Sequence, residues 1–145
     1  MKKLLSFIAV AVLVLGANLA LAADYAKQKV VYHVNDNNEK LLAAVLKNIQ
    51  NHIKAVGKDN IDIKVVMHGN GLDLLKVANT NPDMQSKVAN LKSQHVGFQV
   101  CANTLKGKKI NYKNDLFDVS EKDIVPSGVA EIAKLQQQGY VYIKP

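Results

Sequence analysis

The sequence predicts an α/β fold: a single doubly wound domain in which a mainly parallel sheet is covered by helices on both faces. Three observations support this prediction. Nearly continuous apolar, β-branched runs, such as residues 29–34, are typical of strands buried on both faces. Segments with apolar residues at helical spacing lie between those runs. The alternating order of strands and helices then favours right-handed parallel crossovers.

The clearest helix follows the first strand. Its apolar stripe covers residues 42–56, and residues 36–39 have the spacing of an N-terminal capping box. Gly57 supplies the stop signal at its end. The next strand, residues 61–67, begins with alternating polar and apolar residues and ends fully apolar. This pattern predicts a strand near the edge of the sheet.

A turn at residues 68–71 and a short helix over residues 72–78 follow the second strand. Asn81 is predicted to cap a further helix that has Pro82 at its first position. Met84, Val88 and Leu91 form the apolar stripe of that helix. The third strand then ends at the cysteine discussed below.

The C-terminal third of the chain is less regular. Residues 106–122 are predicted to lie at the surface, anchored by Leu116 and Phe117. Residues 124–126 predict a short extended piece, after which Ser127 caps a helix and Gly139 ends it. Residues 140–143 form the last predicted strand.

Residues 1–22 have the three parts of a cleavable secretory signal peptide. Lys2 and Lys3 form the charged start, residues 4–15 are almost wholly apolar, and residues 20–22 form a small-x-small cleavage site. The apolar run is shorter than a membrane span of about 20 residues. We therefore expect a periplasmic protein without stable membrane insertion, folded as one domain over residues 23–145.

The charge of the chain argues against nucleic acid as a partner. The formal net charge is +7 at pH 7, but every cationic residue is a lysine and aromatic residues make up only 6%. Proteins that bind nucleic acid rely on arginine for two-pronged contacts with bases and phosphates. The lysines are expected to form a solvated face.

The only cysteine, Cys101, stands where an apolar strand runs into a helical turn. Free backbone N–H groups at such a turn favour a thiolate, and Lys106, Lys108 and Lys109 add positive charge nearby. One cysteine permits no internal disulfide, and an unpaired cysteine in an exported protein indicates a reactive thiol or an intermolecular bond. The alternative is a small buried hydrophobe.

Several polar residues are expected to meet at one edge of the sheet. Asn35, His68 with Gly69, and Cys101 each follow a predicted strand, and chemistry in parallel sheets gathers at the carboxyl ends of the strands. Backbone N–H groups near Asn103 and Thr104 are expected to stabilise the Cys101 thiolate. The side chain of Asn103 could donate a further hydrogen bond.

Five stretches of the chain together resemble the DsrE/DsrF-like family, particularly its exported branch. They are residues 30–36 (VVYHVND), 66–72 (VMHGNGL), 98–105 (FQVCANTL), 125–131 (VPSGVAE) and 139–145 (GYVYIKP). The resemblance implies about five parallel strands and assembly into homotrimers or homohexamers. It also implies that Cys101 accepts sulfur as a persulfide and passes it on.

Two hypotheses about function follow. In the first, Cys101 is a sulfur carrier that attacks a persulfide donor as a thiolate and releases the sulfur to an acceptor thiol or protein, without a cofactor. In the second, the same edge is a binding module for a small anion or for a soft metal such as copper or zinc, held by His68 and Cys101 with His33, or an interaction surface of an oligomer. The chain has no close His/Cys spacing typical of metal sites, so we assign no metal ligands.

Overall fold

The computed structural model describes residues 25–145; the predicted signal peptide, residues 1–22, lies outside them. The described residues form one sheet of five parallel strands in the order β4-β3-β2-β1-β5. The strands are β1 (Gln28–Val34), β2 (Ile61–Met67), β3 (Gly97–Cys101), β4 (Ile124–Val125) and β5 (Val141–Ile143). The prediction of about five parallel strands is confirmed.

Six α-helices connect these strands within residues 25–145. They are α1 (Glu39–Val56), α2 (Asp73–Ala78), α3 (Pro82–Ser93), α4 (Ala102–Lys108), α5 (Tyr112–Asp115) and α6 (Gly128–Gln137), with 3₁₀ turns at Gly69–Leu72 and Glu121–Asp123. The chain steps in one direction from β1 to β4. It then returns over the other face through α6, which places β5 beside β1. No helix within residues 25–145 is long and apolar enough to cross a membrane.

Side-chain capping sets the starts of several helices. Asn81 accepts hydrogen bonds from the N–H groups of the first turn of α3, and Ser127 accepts one from α6, as predicted. The prediction for α1 was wrong in detail, because residues 36–39 do not form a capping box. Asn38 caps α1 itself, and Asp36 accepts a hydrogen bond from the Asn38 N–H.

The two faces of the sheet are covered unequally. One face carries the main core, where Val30, Ile63 and Phe98 are buried beneath the helices that follow β1 and β2. The other face carries α6, with a small core of Val31, Val66, Ile132, Leu135 and Tyr140. Polar side chains occupy the part of this second face that α6 does not cover.

This unequal covering corrects the predicted position of β2. The strand lies at the centre of the sheet, between β1 and β3, and not near an edge. Its polar residues, Asp62 and Lys64, form an ion pair with an N–O distance of 3.3 Å, and the Tyr140 hydroxyl donates to Asp62. The alternating pattern therefore arises because the face that carries α6 is only partly covered.

Gly71 holds the turn after β2 against the end of β1. A Cβ at this buried position would lie 1.9 Å from the Val34 carbonyl oxygen, so no other side chain fits without backbone movement. This close contact holds the His68–Gly69 segment in position at the carboxyl edge of the sheet.

We predict that Gly71→Ala destabilises the protein by about 3 kcal/mol or more, because the added methyl group overpacks a rigid backbone contact. Gly107→Ala is the matched control. A Cβ there meets nothing within 4 Å, so the free energy of unfolding should rise by up to about 1 kcal/mol. Chemical denaturation measures both values. Equal effects of the two substitutions would contradict the close contact.

Candidate functional site

Three strands end level with one another and bring the candidate residues to one edge. Val34 of β1 pairs with Met67 of β2, and Met67 pairs with Val100 of β3. The next residue is Asn35 after β1, His68 after β2 and Cys101, which is the last residue of β3. The predicted convergence at the carboxyl edge is therefore present, as expected for a parallel sheet.

Cys101 is the last residue of β3 and the N-cap residue of α4. It is buried, with 4% of its surface exposed in the isolated chain. Cys101 belongs to neither of the two apolar cores of the sheet. Asn103, two residues further along, and Val129, which follows Gly128 in α6, are exposed.

Gly128 brings a second helix to the same sulfur. It is the first residue of α6, and a Cβ on it would lie 3.4 Å from the Cys101 Cβ and 3.0 Å from the His68 Cβ. The absence of a side chain lets the backbone N–H of Gly128 approach Cys101. The N-terminal ends of α4 and α6 therefore meet at the thiol, and both favour negative charge there.

Thr104 links the cysteine to the turn after β2. Its hydroxyl oxygen accepts a hydrogen bond from the Gly69 N–H at 2.9 Å, and its hydroxyl hydrogen is directed to the sulfur. Asn103 contributes only its backbone N–H, because its side chain is exposed. The expected role of the Asn103 side chain is therefore not what the structure shows.

These donors determine the pKa of the thiol. Burial by itself raises the pKa of Cys101. Hydrogen bonds from the Gly128 N–H, from the Thr104 hydroxyl, and from the N–H groups of Thr104 and Asn103 outweigh burial, so the pKa lies below its ordinary value.

A chain of polar side chains lies beside Cys101. The Tyr142 hydroxyl lies 2.7 Å from His33 Nδ1, and His33 Nε2 lies 2.6 Å from His68 Nε2. The sequence indicated His68 and His33 together only as candidate metal ligands with Cys101, and it gave no link to Tyr142. The link exists because β5 pairs with β1, and the sequence of β5 does not reveal which strand it pairs with.

His33 and His68, the two histidines that are hydrogen-bonded to each other, resist protonation. Burial, the neighbouring His68 and the Lys144 ammonium lower the pKa of His33 from 6.5 to about 4. Burial and Lys144 also lower the pKa of His68. The two imidazoles are therefore neutral at neutral pH, and a single proton is shared between their Nε2 atoms.

Asn35 lies at this edge of the sheet and contacts Lys144. Its side-chain oxygen accepts a hydrogen bond from the Lys144 ammonium, at a cavity of about 80 Å³ that His33 and Asp36 also line. Asn35 therefore holds the positive charge that acts on the histidines. It is not among the groups that lower the pKa of Cys101.

The geometry gives little support to a soft-metal site. Within residues 25–145, no group of three or more His, Cys, Asp or Glu side chains is arranged to hold a metal ion. The 2.6 Å between His33 Nε2 and His68 Nε2 is shorter than the separation of about 3.3 Å that two nitrogens keep on a tetrahedral zinc ion. A groove of about 530 Å³ between α1 and α3 lies away from Cys101.

Comparison with known proteins gives one family and one structural relative of note. The sequence model of the DsrE/DsrF-like family matches residues 15–145. A solved structure of a protein of unknown function from Methanobacterium thermoautotrophicum is 28% identical, with a TM-score of 0.71. That match covers 82% of this chain and 100% of the other. No curated protein matches the chain.

We predict that Gly128→Ala raises the pKa of Cys101, because the added methyl group pushes the first turn of α6 away from the sulfur. A hydrogen bond to a charged group contributes about 1.5–3 kcal/mol, so alkylation by iodoacetamide well below the thiol pKa should slow by roughly tenfold. Val129→Ala changes an exposed residue of the same turn and should leave the pH profile unchanged. Identical profiles for all three proteins would contradict a contribution from α6.

We also predict that the protein loses stability as the pH falls from 6.5 towards 4. In this range the unfolded chain binds a proton at His33 and the folded chain does not, because its pKa is lowered to about 4. His33→Gln removes this difference in proton binding. Urea denaturation at both pH values should therefore show a smaller loss for the variant, and an equal loss would be inconsistent with a lowered pKa.

Proposed function

The chain belongs to the DsrE/DsrF-like family, and from that premise we propose that it is a periplasmic sulfur-handling protein in which Cys101 carries sulfur as a persulfide. The observation that carries this proposal is the convergence of hydrogen-bond donors from α4 and α6 on the Cys101 sulfur. Only the thiolate of a cysteine attacks sulfur, and these donors favour the thiolate.

The transfer is a balanced exchange without an external oxidant. The Cys101 thiolate attacks the outer sulfur of a donor R–S–SH, a new S–S bond forms, and the donor leaves as R–S⁻ with the electron pair of the broken bond. R–S⁻ then takes up a proton. An acceptor thiolate later attacks the outer sulfur of Cys101–S–SH, and Cys101 leaves as the thiolate.

The same donors would stabilise each charged state in this cycle. The negative charge resides on Cys101 before the first step and returns to it after the second. Because the N–H groups of Gly128, Thr104 and Asn103 are fixed by the backbone, they need no rearrangement when the charge returns. Cys101 is thus both a nucleophile and a leaving group.

The signal peptide predicted from the sequence supports a periplasmic location for this activity, and the donors and acceptors there would be small thiols, persulfides or exported proteins. We also propose a homo-oligomer, a trimer or hexamer. Val141 supports this proposal, since it lies on the edge strand β5 with 64% of its surface exposed. An exposed apolar residue on a free strand edge is typical of a surface that another chain covers.

A binding module for a small anion is the second candidate, because the same N–H donors would bind an anion without any covalent step. The two candidates differ in whether sulfur becomes covalently attached to Cys101. Anion binding leaves the mass of the denatured protein unchanged, whereas a persulfide adds to it.

We predict that incubation with a small-molecule persulfide adds one or more sulfur atoms to the protein, as measured by intact mass after desalting. The gain should disappear with reductant and should be absent in Cys101→Ala and Cys101→Ser. A subsequent thiol acceptor should remove the sulfur. A protein that gains no mass, or a Cys101→Ala variant that gains as much as the wild type, would exclude the carrier function.

A further inference from the structure

We propose that Tyr142, His33 and His68 form a proton relay that serves Cys101, with Tyr142 as its solvent end and His68 as its end beside the sulfur. The inference rests on the sulfur transfer proposed above, because it concerns the proton that this transfer releases and consumes. Three chain segments build the relay: β5 supplies Tyr142, β1 supplies His33, and the segment after β2 supplies His68.

The relay is continuous along its length. One hydrogen bond joins the Tyr142 hydroxyl to His33 Nδ1 at 2.7 Å, and a second joins His33 Nε2 to His68 Nε2 at 2.6 Å. Each group in such a chain donates one hydrogen bond and accepts one. Tyr142 is 39% exposed, so the outer end of the chain can exchange protons with solvent.

The inner end of the relay lies near the cysteine. A Cβ on Gly128 would lie 3.0 Å from the His68 Cβ and 3.4 Å from the Cys101 Cβ, so both residues border the start of α6. The same Cβ would lie 3.4 Å from His68 Cδ2, so the His68 Nδ1 lies on the ring edge directed away from Gly128. The backbone of the next residue, Gly69, is bonded to Thr104, whose hydroxyl is directed to the sulfur. Gly128 on one side, and Gly69 with Thr104 on the other, thereby connect His68 to the surroundings of Cys101.

The surrounding charges keep the relay neutral. Lys144 lies near both histidines, and burial acts on them in the same direction. Asp36 lines the cavity next to His33, and its carboxylate accepts a hydrogen bond from the Asn38 N–H. A neutral chain moves a proton by exchanging every donor and acceptor at once, so no charge is left in a poorly solvated place.

The two hydrogen-bonding arrangements of the chain define the proton step. In the first, Tyr142 donates to His33, His33 donates from Nε2 to His68, and His68 carries its own proton on Nδ1. His68 then gives the Nδ1 proton to the departing R–S⁻ and receives one at Nε2 from His33. His33 is reprotonated at Nδ1 by Tyr142, and Tyr142 takes a proton from solvent.

The second half of the sulfur cycle uses the relay in reverse. The acceptor thiol gives its proton to His68 Nδ1, and the resulting thiolate attacks the outer sulfur on Cys101. The proton on His68 Nε2 passes to His33, and a proton leaves through Tyr142 to solvent. The cycle is balanced, because one proton enters and one leaves for each sulfur transferred.

The test compares two reactions of Cys101 that differ in their need for a proton. Alkylation by iodoacetamide requires only the thiolate, whereas sulfur uptake from a persulfide releases a thiolate that must be protonated. General acid–base catalysis contributes about 10²–10⁴-fold, so we expect His68→Gln to slow sulfur uptake by about 100-fold and Tyr142→Phe by about tenfold. The pH profile of alkylation should be unchanged in Tyr142→Phe.

Tyr140→Phe is the matched control, because Tyr140 donates its hydroxyl to Asp62 and takes no part in the relay. It should leave both reactions unchanged. Uptake by Tyr142→Phe at the wild-type rate would overturn the relay. Equal slowing of alkylation and uptake would also overturn it, because the side chains would then act only on the thiolate or the fold.

A wild-type protein that takes up no sulfur would refute the proposed function, and a separate measurement then decides the relay. Nitrogen NMR of the histidine side chains reports which nitrogen carries the proton. The His68 signals should change with Tyr142→Phe and should follow the ionisation of Cys101. His68 signals that respond to neither would overturn the relay.

Discussion

The candidate site depends on the close approach of α6 to the end of β3, which the missing side chain of Gly128 allows. A Cβ at this position would press against both His68 and Cys101. With glycine there, the first N–H of α6 reaches the sulfur that the first turn of α4 already surrounds. Two short helices thus place their positive ends at one atom, and this is enough to outweigh the effect of burial on the thiol.

The unequal covering of the sheet explains why polar residues gather near this thiol. The helices α1, α2 and α3 bury one face, whereas α6 covers only part of the other. On that second face, side chains that would be apolar under full cover are polar and bonded to one another. His33 and Tyr142 belong to this group, and so does the Asp62–Lys64 pair at the opposite end of β2. The open part of the face therefore gives solvent a route to the site.

Charge is distributed differently around the sulfur and around the two histidines. The sulfur is surrounded by oriented donors, which favour its anion. The histidines are near Lys144, which disfavours their cationic forms. A neutral imidazole pair next to a thiolate would give the edge a nucleophile together with proton donors and acceptors, without a fixed ion pair that a reacting sulfur would have to break.

The sequence by itself determined the strands and the longer helices, because each has a local cause, whereas it did not predict the short α5. Periodic apolar residues define α1, Asn81 caps α3, and the apolar run before Cys101 predicts a strand. The level ends of β1, β2 and β3 also followed from their parallel order. Tertiary structure alone decided the central position of β2, the approach of Gly128 and the contact of His33 with Tyr142. Each of these depends on where α6 and β5 pack after the chain reverses its direction, and residues far apart in sequence carry no local pattern that reveals such a contact.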